Sequence, residues 1–260
     1  MLEDVVAGIG VPFLGTVSGA ACVFFLKKNL SSVINTILTG FAAGVMTAAS
    51  IWSLIIPALE QKPVSSFNCV PVLIGFWTGI FFLLAADIFI THISSGKKTY
   101  FCRRTGKKKE NTMLILAVTV HNIPEGMAVG IVYAGLLSGN ENITAAGAFV
   151  LALGIAVQNF PEGAIISMPL HADGESKLKA FLFGVFSAAV ETAGALAAIC
   201  AAEIFINVMP YMLSFAAGAM FYVVVGELVP EASSEKSGRT GIISFSSGFS
   251  VMMALDVLLG

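Results

Sequence analysis

The sequence predicts an all-α integral membrane protein of eight spans in a 3+2+3 arrangement, with an inverted repeat relating spans 1–3 to spans 6–8 around a central pair. Three observations carry this. Hydrophobic residues make up 57% of the 260 and charged residues only 12%, against about 25% in soluble domains. Apolar runs long enough to cross a bilayer fall at 5–26, 34–59, 69–91, 112–137, 145–170, 178–208, 210–229 and 242–259. Pieces of the early spans recur late in the chain. No linker-like stretch divides the sequence, so residues 1–260 read as one transmembrane domain.

Span 1 opens on Met-Leu-Glu-Asp, acidic where a signal peptide is basic, and reads as a retained helix. Lys27 and Lys28 follow it. Span 2 carries the stretch FAAGVM, 41–46, and span 3 carries Gly79 and Asp87. After span 3 comes the one substantial polar insertion, about 94–110, with Lys97, Lys98, Arg103, Arg104, Lys107, Lys108 and Lys109. It reads as a topology anchor near anionic lipid. Span 4 holds HNIPEG, 121–126, and span 5 holds QNFPEG, 158–163. Lys177 and Lys179 follow span 5. Span 6 holds Glu191, span 7 holds FAAGAM and GELVPE, and span 8 holds Gly248 and Asp256. Lys236 and Arg239 lie between the last two spans. Of the 14 basic residues only Lys62 falls on the opposite side. The positive-inside rule then makes the four basic loops cytoplasmic and puts both termini outside. Cys22, Cys69, Cys102 and Cys200 form no pair motif, so neither a disulfide framework nor a thiolate metal site is expected.

FAAGVM and FAAGAM stand 174 residues apart. Gly79 and Asp87 recur as Gly248 and Asp256, 169 residues on. Two adjacent spans thus match two adjacent spans five helices later. Five is odd, so the copies run in opposite directions, an architecture frequent in secondary transporters. At 1.5 Å per residue, Asp87 lies about 25 Å along a helix entering from outside, and Asp256 about 20 Å along one entering from inside. The two aspartates fall on opposite sides of the midplane. Spans 4 and 5 carry a repeat of their own.

Glu125, Glu162 and Glu191 fall near mid-depth. Each ionised carboxylate there costs roughly 2.5–3.5 kcal/mol even on lenient insertion scales. Every Lys and Arg is in a loop or at a span end. Protons or metal cations must supply the positive charge. Spacing favours a metal. Residues i and i+4 share a helical face, as do His121 with Glu125 and Gln158 with Glu162, while Asn122 and Asn159 precede the same glutamates by three. Each motif is one face of nitrogen and oxygen donors. A lone imidazole among oxygens suits Zn²⁺, Mn²⁺, Fe²⁺ or Cd²⁺. Pro124 cannot donate to the carbonyl of Val120, nor Pro161 to that of Val157, which frees backbone beside the carboxylates. A lone histidine or proline in a membrane helix is most often packing. The same donor face written in two adjacent spans is not. Met46, at mid-depth of span 2, reads first as packing and second as a soft thioether ligand. Asp87 and Glu227 stand behind the ligands or along the ion's path. Glu203, Asp256, His92 and His171 read as interfacial.

Span 4 with H-N-x-P-E-G and span 5 with Q-N-x-P-E-G resemble the ZIP (Zrt/Irt-like) family of divalent-metal transporters, in its GufA-like branch. The likeness extends to eight spans, the loop after span 3, Glu191 and GELVPE. It implies a binuclear site. Met46, His121, Glu125, Gln158 and Glu162 would form one position. Asn122, Asn159 and Glu191 would form the other, bridged by Glu125 and Glu162. It also implies influx, a homodimer, and an elevator-like motion of spans 1, 4, 5 and 6 against 2, 3, 7 and 8. The chain departs from the pattern at Asn159, where some relatives carry aspartate, and at Gln158, where others carry histidine.

The expected function is therefore carriage of a divalent cation, Zn²⁺ first and Mn²⁺, Fe²⁺ or Cd²⁺ next, toward the cytoplasm by alternating access. The partners are the metal ion, the bilayer and a second copy of the chain, with no nucleic acid and no enzymatic activity. One alternative is an intramembrane metal-dependent hydrolase, weakened by the absence of HExxH and by a single deep histidine. Another is a proton-coupled carrier of an organic solute, which leaves the donor geometry unexplained. A short, compact chain suggests a bacterial source and hence the plasma (inner) membrane.

Overall fold

The computed structural model describes residues 2–25, 31–60, 69–93, 108–172, 174–201, 208–233 and 238–259, without the side chains of residues 2, 90–93, 108–121 and 238. Eight long helices make up this part: α1 (Leu2–Phe25), α2 (Ser32–Glu60), α3 (Cys69–Ile93), α4 (Lys108–Leu137), α5 (Ala145–Ala172), α6 (Lys177–Cys200), α7 (Met209–Ala232) and α8 (Gly238–Leu259). Seven are long and apolar enough to cross a membrane, and α4 is a 30-residue helix that is apolar over Asn122–Leu137, where its side chains are described. The chain is an integral membrane protein. Most basic residues behind the expected topology, the 94–107 stretch, Lys62, Cys102 and Glu203 lie outside the described residues.

The starts of the helices follow local chemistry. Ser31 caps α2 by accepting from the Ile34 amide at 3.2 Å, and Ser176 caps α6 from Lys179 at 3.3 Å. Lys177 reaches back to the carbonyl of Phe24 at 3.0 Å, where the end of α1 leaves acceptors over. One boundary differs from expectation. The sixth span was expected to run to residue 208, but α6 ends at Cys200 and Ala201 leaves helical geometry (φ −93°, ψ 15°). Its 24 residues, about 36 Å at 1.5 Å each, already exceed the roughly 30 Å hydrocarbon core.

Packing extends the repeat to the whole chain. α1 packs chiefly on α5, α4 on α6, α2 on α8 and α3 on α7. The contacts correspond one by one. Gly44 of α2 lies on the carbonyl of Phe245 in α8, and Gly218 of α7 lies on that of Phe76 in α3. Gly248 meets the carbonyl of Phe41, and Gly79 meets that of Phe215. These are the residues that the 174- and 169-residue offsets relate. The central pair obeys the same symmetry: Gly163 of α5 sits on the Thr16 carbonyl of α1, and Gly126 of α4 on the Glu191 carbonyl of α6. The apparent separate repeat of spans 4 and 5 is therefore the centre of one inverted pair of four-helix halves. Backbones come this close only where no Cβ intervenes.

α2 and α7 each loosen into a π-helical turn, Ser50–Ile55 and Val224–Leu228, whose first residues again stand 174 apart. α3 and α8 are the least buried, and Trp77, Phe81, Ile243 and Val257 point outward from them, suited to lipid. α5 packs on α2, and α4 on α7, so α1, α4, α5 and α6 meet the other four helices across this boundary.

Candidate metal site in the membrane

Polar side chains cluster where α1, α4, α5 and α6 converge. Asn122, Gln158 and Asn159 are fully buried, Glu125 is 1% exposed, Glu191 2% and Glu162 9%. The two motif helices run unbroken through Pro124 and Pro161. Gln158 Nε2 donates to Glu125 Oε2 at 2.7 Å and to Asn159 Oδ1 at 2.6 Å. Asn159 Nδ2 donates to Glu191 Oε2 at 2.7 Å and, more distantly, to the Pro12 carbonyl at 3.4 Å. Asn122 Nδ2 donates to Ser187 Oγ at 3.1 Å. A polar chain thus runs from α4 through α5 to α6 and touches α1. Glu162 feels the charges of Glu125 and Glu191.

Five oxygens of this cluster are buried without a hydrogen-bond partner: Asn122 Oδ1, Glu125 Oε1, Gln158 Oε1, Glu162 Oε2 and Glu191 Oε1. An orphaned buried acceptor costs about 1–3 kcal/mol, more when charged. All five are acceptors, on three helices, and all are hard or borderline donors to a cation. A divalent ion satisfies such a set of acceptors.

The structure brings together Asn122, Glu125, Gln158, Asn159, Glu162 and Glu191. Met46 is fully buried in the main apolar cluster, on a helix that packs against α5. His121 sits on α4 one residue before Asn122, and its side chain lies outside the described residues, as does that of His92. Among the described residues no three His, Cys, Asp or Glu side chains by themselves form a metal-holding group. The donors are carboxylates interleaved with amides.

The flanking acids are less alike than expected. Asp87 accepts from Tyr222 Oη at 3.2 Å and lies within electrostatic range of Glu227, in the π-turn of α7. Asp256 was expected at the interface. It accepts from Ser53 Oγ at 2.8 Å with its other oxygen buried. The reason is that α8 lies flat on α2 through its glycines. Ser53 and Glu227 occupy equivalent places in the two halves. His171 bonds through Nδ1 to the Glu175 carbonyl at 2.9 Å, a local contact at the end of α5. Cys22 and Cys200 are free thiols.

Three contributors escaped the sequence reading. Thr16, fully buried on α1, donates its hydroxyl to the Pro12 carbonyl at 3.5 Å and lies beside Glu191. Pro12 presents that carbonyl to Asn159. Ser187 orients Asn122. The available signal was the small-residue face Gly15-Thr16-Gly19-Ala20, which is the surface α5 approaches most closely.

Known proteins are similar to this chain over most of its length. The family model described as ZIP zinc transporter matches residues 107–256. Zinc transporter ZIP11 of Homo sapiens is 32% identical over 94% of this chain and 94% of its own length. Zinc transporter ZIPB of Bordetella bronchiseptica is 32% identical over 98% of this chain and 81% of its own. Zinc transporter GufA of Myxococcus xanthus is 30% identical over 95% of this chain and 96% of its own. With both polar motifs inside the matched region and the likeness running nearly end to end, the chain belongs to the ZIP family of zinc transporters.

Proposed function

We propose that this single transmembrane domain carries divalent metal cations, Zn²⁺ foremost and Mn²⁺, Fe²⁺ or Cd²⁺ as further substrates, toward the cytoplasm. The observation that carries this reading is the set of five partnerless buried oxygens on α4, α5 and α6. The zinc transporters to which the chain is similar support Zn²⁺ as the first substrate. Their naming also favours passage over the hydrolase alternative.

Met46, His121, Glu125, Gln158 and Glu162 hold the transported ion, and Asn122, Asn159 and Glu191 line the neighbouring position. All of these except Met46 ride on α4, α5 and α6. If those helices and α1 move as a body against α2, α3, α7 and α8, the ion leaves only a neutral thioether behind when the site changes sides. A soft, uncharged ligand is the one that can be released at least cost. Protons compete with the metal for the same carboxylates, so uptake falls as the medium is acidified. We further propose a homodimer in the plasma membrane with both termini outside.

Purified protein in liposomes holding a metal-sensitive dye tests the function. Zinc should enter faster than into protein-free liposomes, and Mn²⁺, Fe²⁺ or Cd²⁺ should compete. A well-folded protein that admits none of the four ions would sink the proposal. A smaller effect is expected from Ser187→Ala. Asn122 then loses the hydroxyl that aims its oxygen inward. Partners that orient a ligand are worth about 10–100-fold in metal affinity, so the zinc concentration for half-maximal uptake should rise by about 10-fold with the maximal rate retained.

A further inference from the structure

The three amides of the site are not used alike. Asn122 ties its nitrogen to Ser187 and leaves Oδ1 buried without a partner. Gln158 ties its nitrogen to Glu125 and Asn159 and leaves Oε1 in the same state. Both are ready to face an ion. Asn159 is reversed. Its oxygen already accepts from Gln158 at 2.6 Å, and its nitrogen donates to Glu191 at 2.7 Å and to the Pro12 carbonyl at 3.4 Å. Turning this amide over would set nitrogen against the nitrogen of Gln158. It would also set oxygen against a carboxylate and a carbonyl. The neighbours therefore fix its direction.

We propose that Asn159 is a cross-link rather than a ligand: its amide nitrogen stands where a second cation would lie, between α1 and α6, and the site holds one divalent ion per chain. The charges agree with this count. Glu125 and Glu162 offer two negative charges to the transported ion, which one divalent cation balances. The third carboxylate, Glu191, already takes a donor at Oε2 from the Asn159 amide, which leaves only Oε1 open. A carboxylate oxygen so supplied does not require a metal. Asn159 also joins α1 to α6 across α5, so the four helices around the ion are tied at the ion's own depth. The inference rests on the site proposed above and specifies how much metal that site takes.

Equilibrium dialysis of the full-length protein in detergent against ZnCl₂, with bound zinc counted by mass spectrometry, tests it. The wild type is expected to hold one zinc per chain, lost in Glu125→Ala/Glu162→Ala. Asn159→Asp exchanges the donor for a negative oxygen and is expected to hold two. Asn159→Ala removes the cross-link without adding charge and is expected to gain a second, weaker zinc. Thermal melting shows which variants are folded. Two ions in the wild type, or one ion in both folded Asn159 variants, overturn the inference while leaving the site intact. A zinc that survives Glu125→Ala/Glu162→Ala lies elsewhere, which overturns the site and this inference with it. If neither Asn159 variant folds, the wild-type count decides alone.

Discussion

Replacing Glu125 and Glu162 together by alanine is expected to reduce zinc uptake to the level of protein-free liposomes while the protein stays folded. Both parts follow from the same burial. The two carboxylates lie on facing helices, 1% and 9% exposed, and each has an oxygen without a hydrogen-bond partner. Groups that merely orient a ligand are worth about 10–100-fold in metal affinity, and removal of both charged ligands exceeds that. Stability should move the other way. A carboxylate at mid-membrane costs roughly 2.5–3.5 kcal/mol, and Glu162 stands within the field of Glu125 and Glu191. Without metal, the double variant should melt at or above the wild-type temperature. Glu125→Gln/Glu162→Gln keeps the shapes and should lose uptake equally, separating charge from packing. Transport that persists in either double variant would show that the ion takes another route.

The second large effect is mechanical. Gly163→Val is expected to abolish the yield of folded protein, or to lower its melting temperature by many degrees. A Cβ at Gly163 would run into the Thr16 carbonyl and the Ala20 amide of α1. Those are backbone atoms of a helix, and they cannot step aside singly. Overpacking commonly costs about 1–3 kcal/mol, and here α1 must shift as a unit, taking Pro12 and Thr16 away from Asn159 and Glu191. Gly126→Val should do the same through the Glu191 carbonyl of α6, by the symmetry of the fold. Gly10→Ala, on the same helix as Thr16 with nothing within 4 Å, should stabilise α1 by about 0.5–1 kcal/mol. Yield in detergent and thermal melting distinguish the three. A Gly163→Val protein that melts like the wild type would show that α1 and α5 are not so closely apposed.

Much of the fold was legible because a bilayer leaves few choices. Eight apolar runs became eight helices, and the FAAG pair disclosed an inversion that packing then extended to all eight. The motif residues could be placed together because i, i+4 spacing is a property of one helix. What lay beyond a single helix was not legible. Thr16 is a hydroxyl on an apolar helix, bonded to the carbonyl four residues before it as Thr47 is, and nothing in periodicity tells which of the two lies beside the polar cluster. The reversal of Asn159 depends on which neighbours surround it, and two adjacent amides in QNFPEG look equivalent in sequence. The contact of Asp256 with Ser53 was not legible because depth along a helix says nothing of which way the side chain turns.

The paired π-turns bear on the history of the molecule. A π-turn is an α-helix with one residue added, and the added residue turns everything beyond it by about 100°. Such an addition is rarely tolerated, because it re-aims a whole helical face. Here it stands at the same place in both halves, at Ser50 and at Val224. Two independent additions at one equivalent position are far less economical than a single one. A single addition that preceded duplication of the half accounts for both turns. The two turns now differ in what they carry: the first holds Ser53, which supports Asp256, and the second Glu227, beside Asp87.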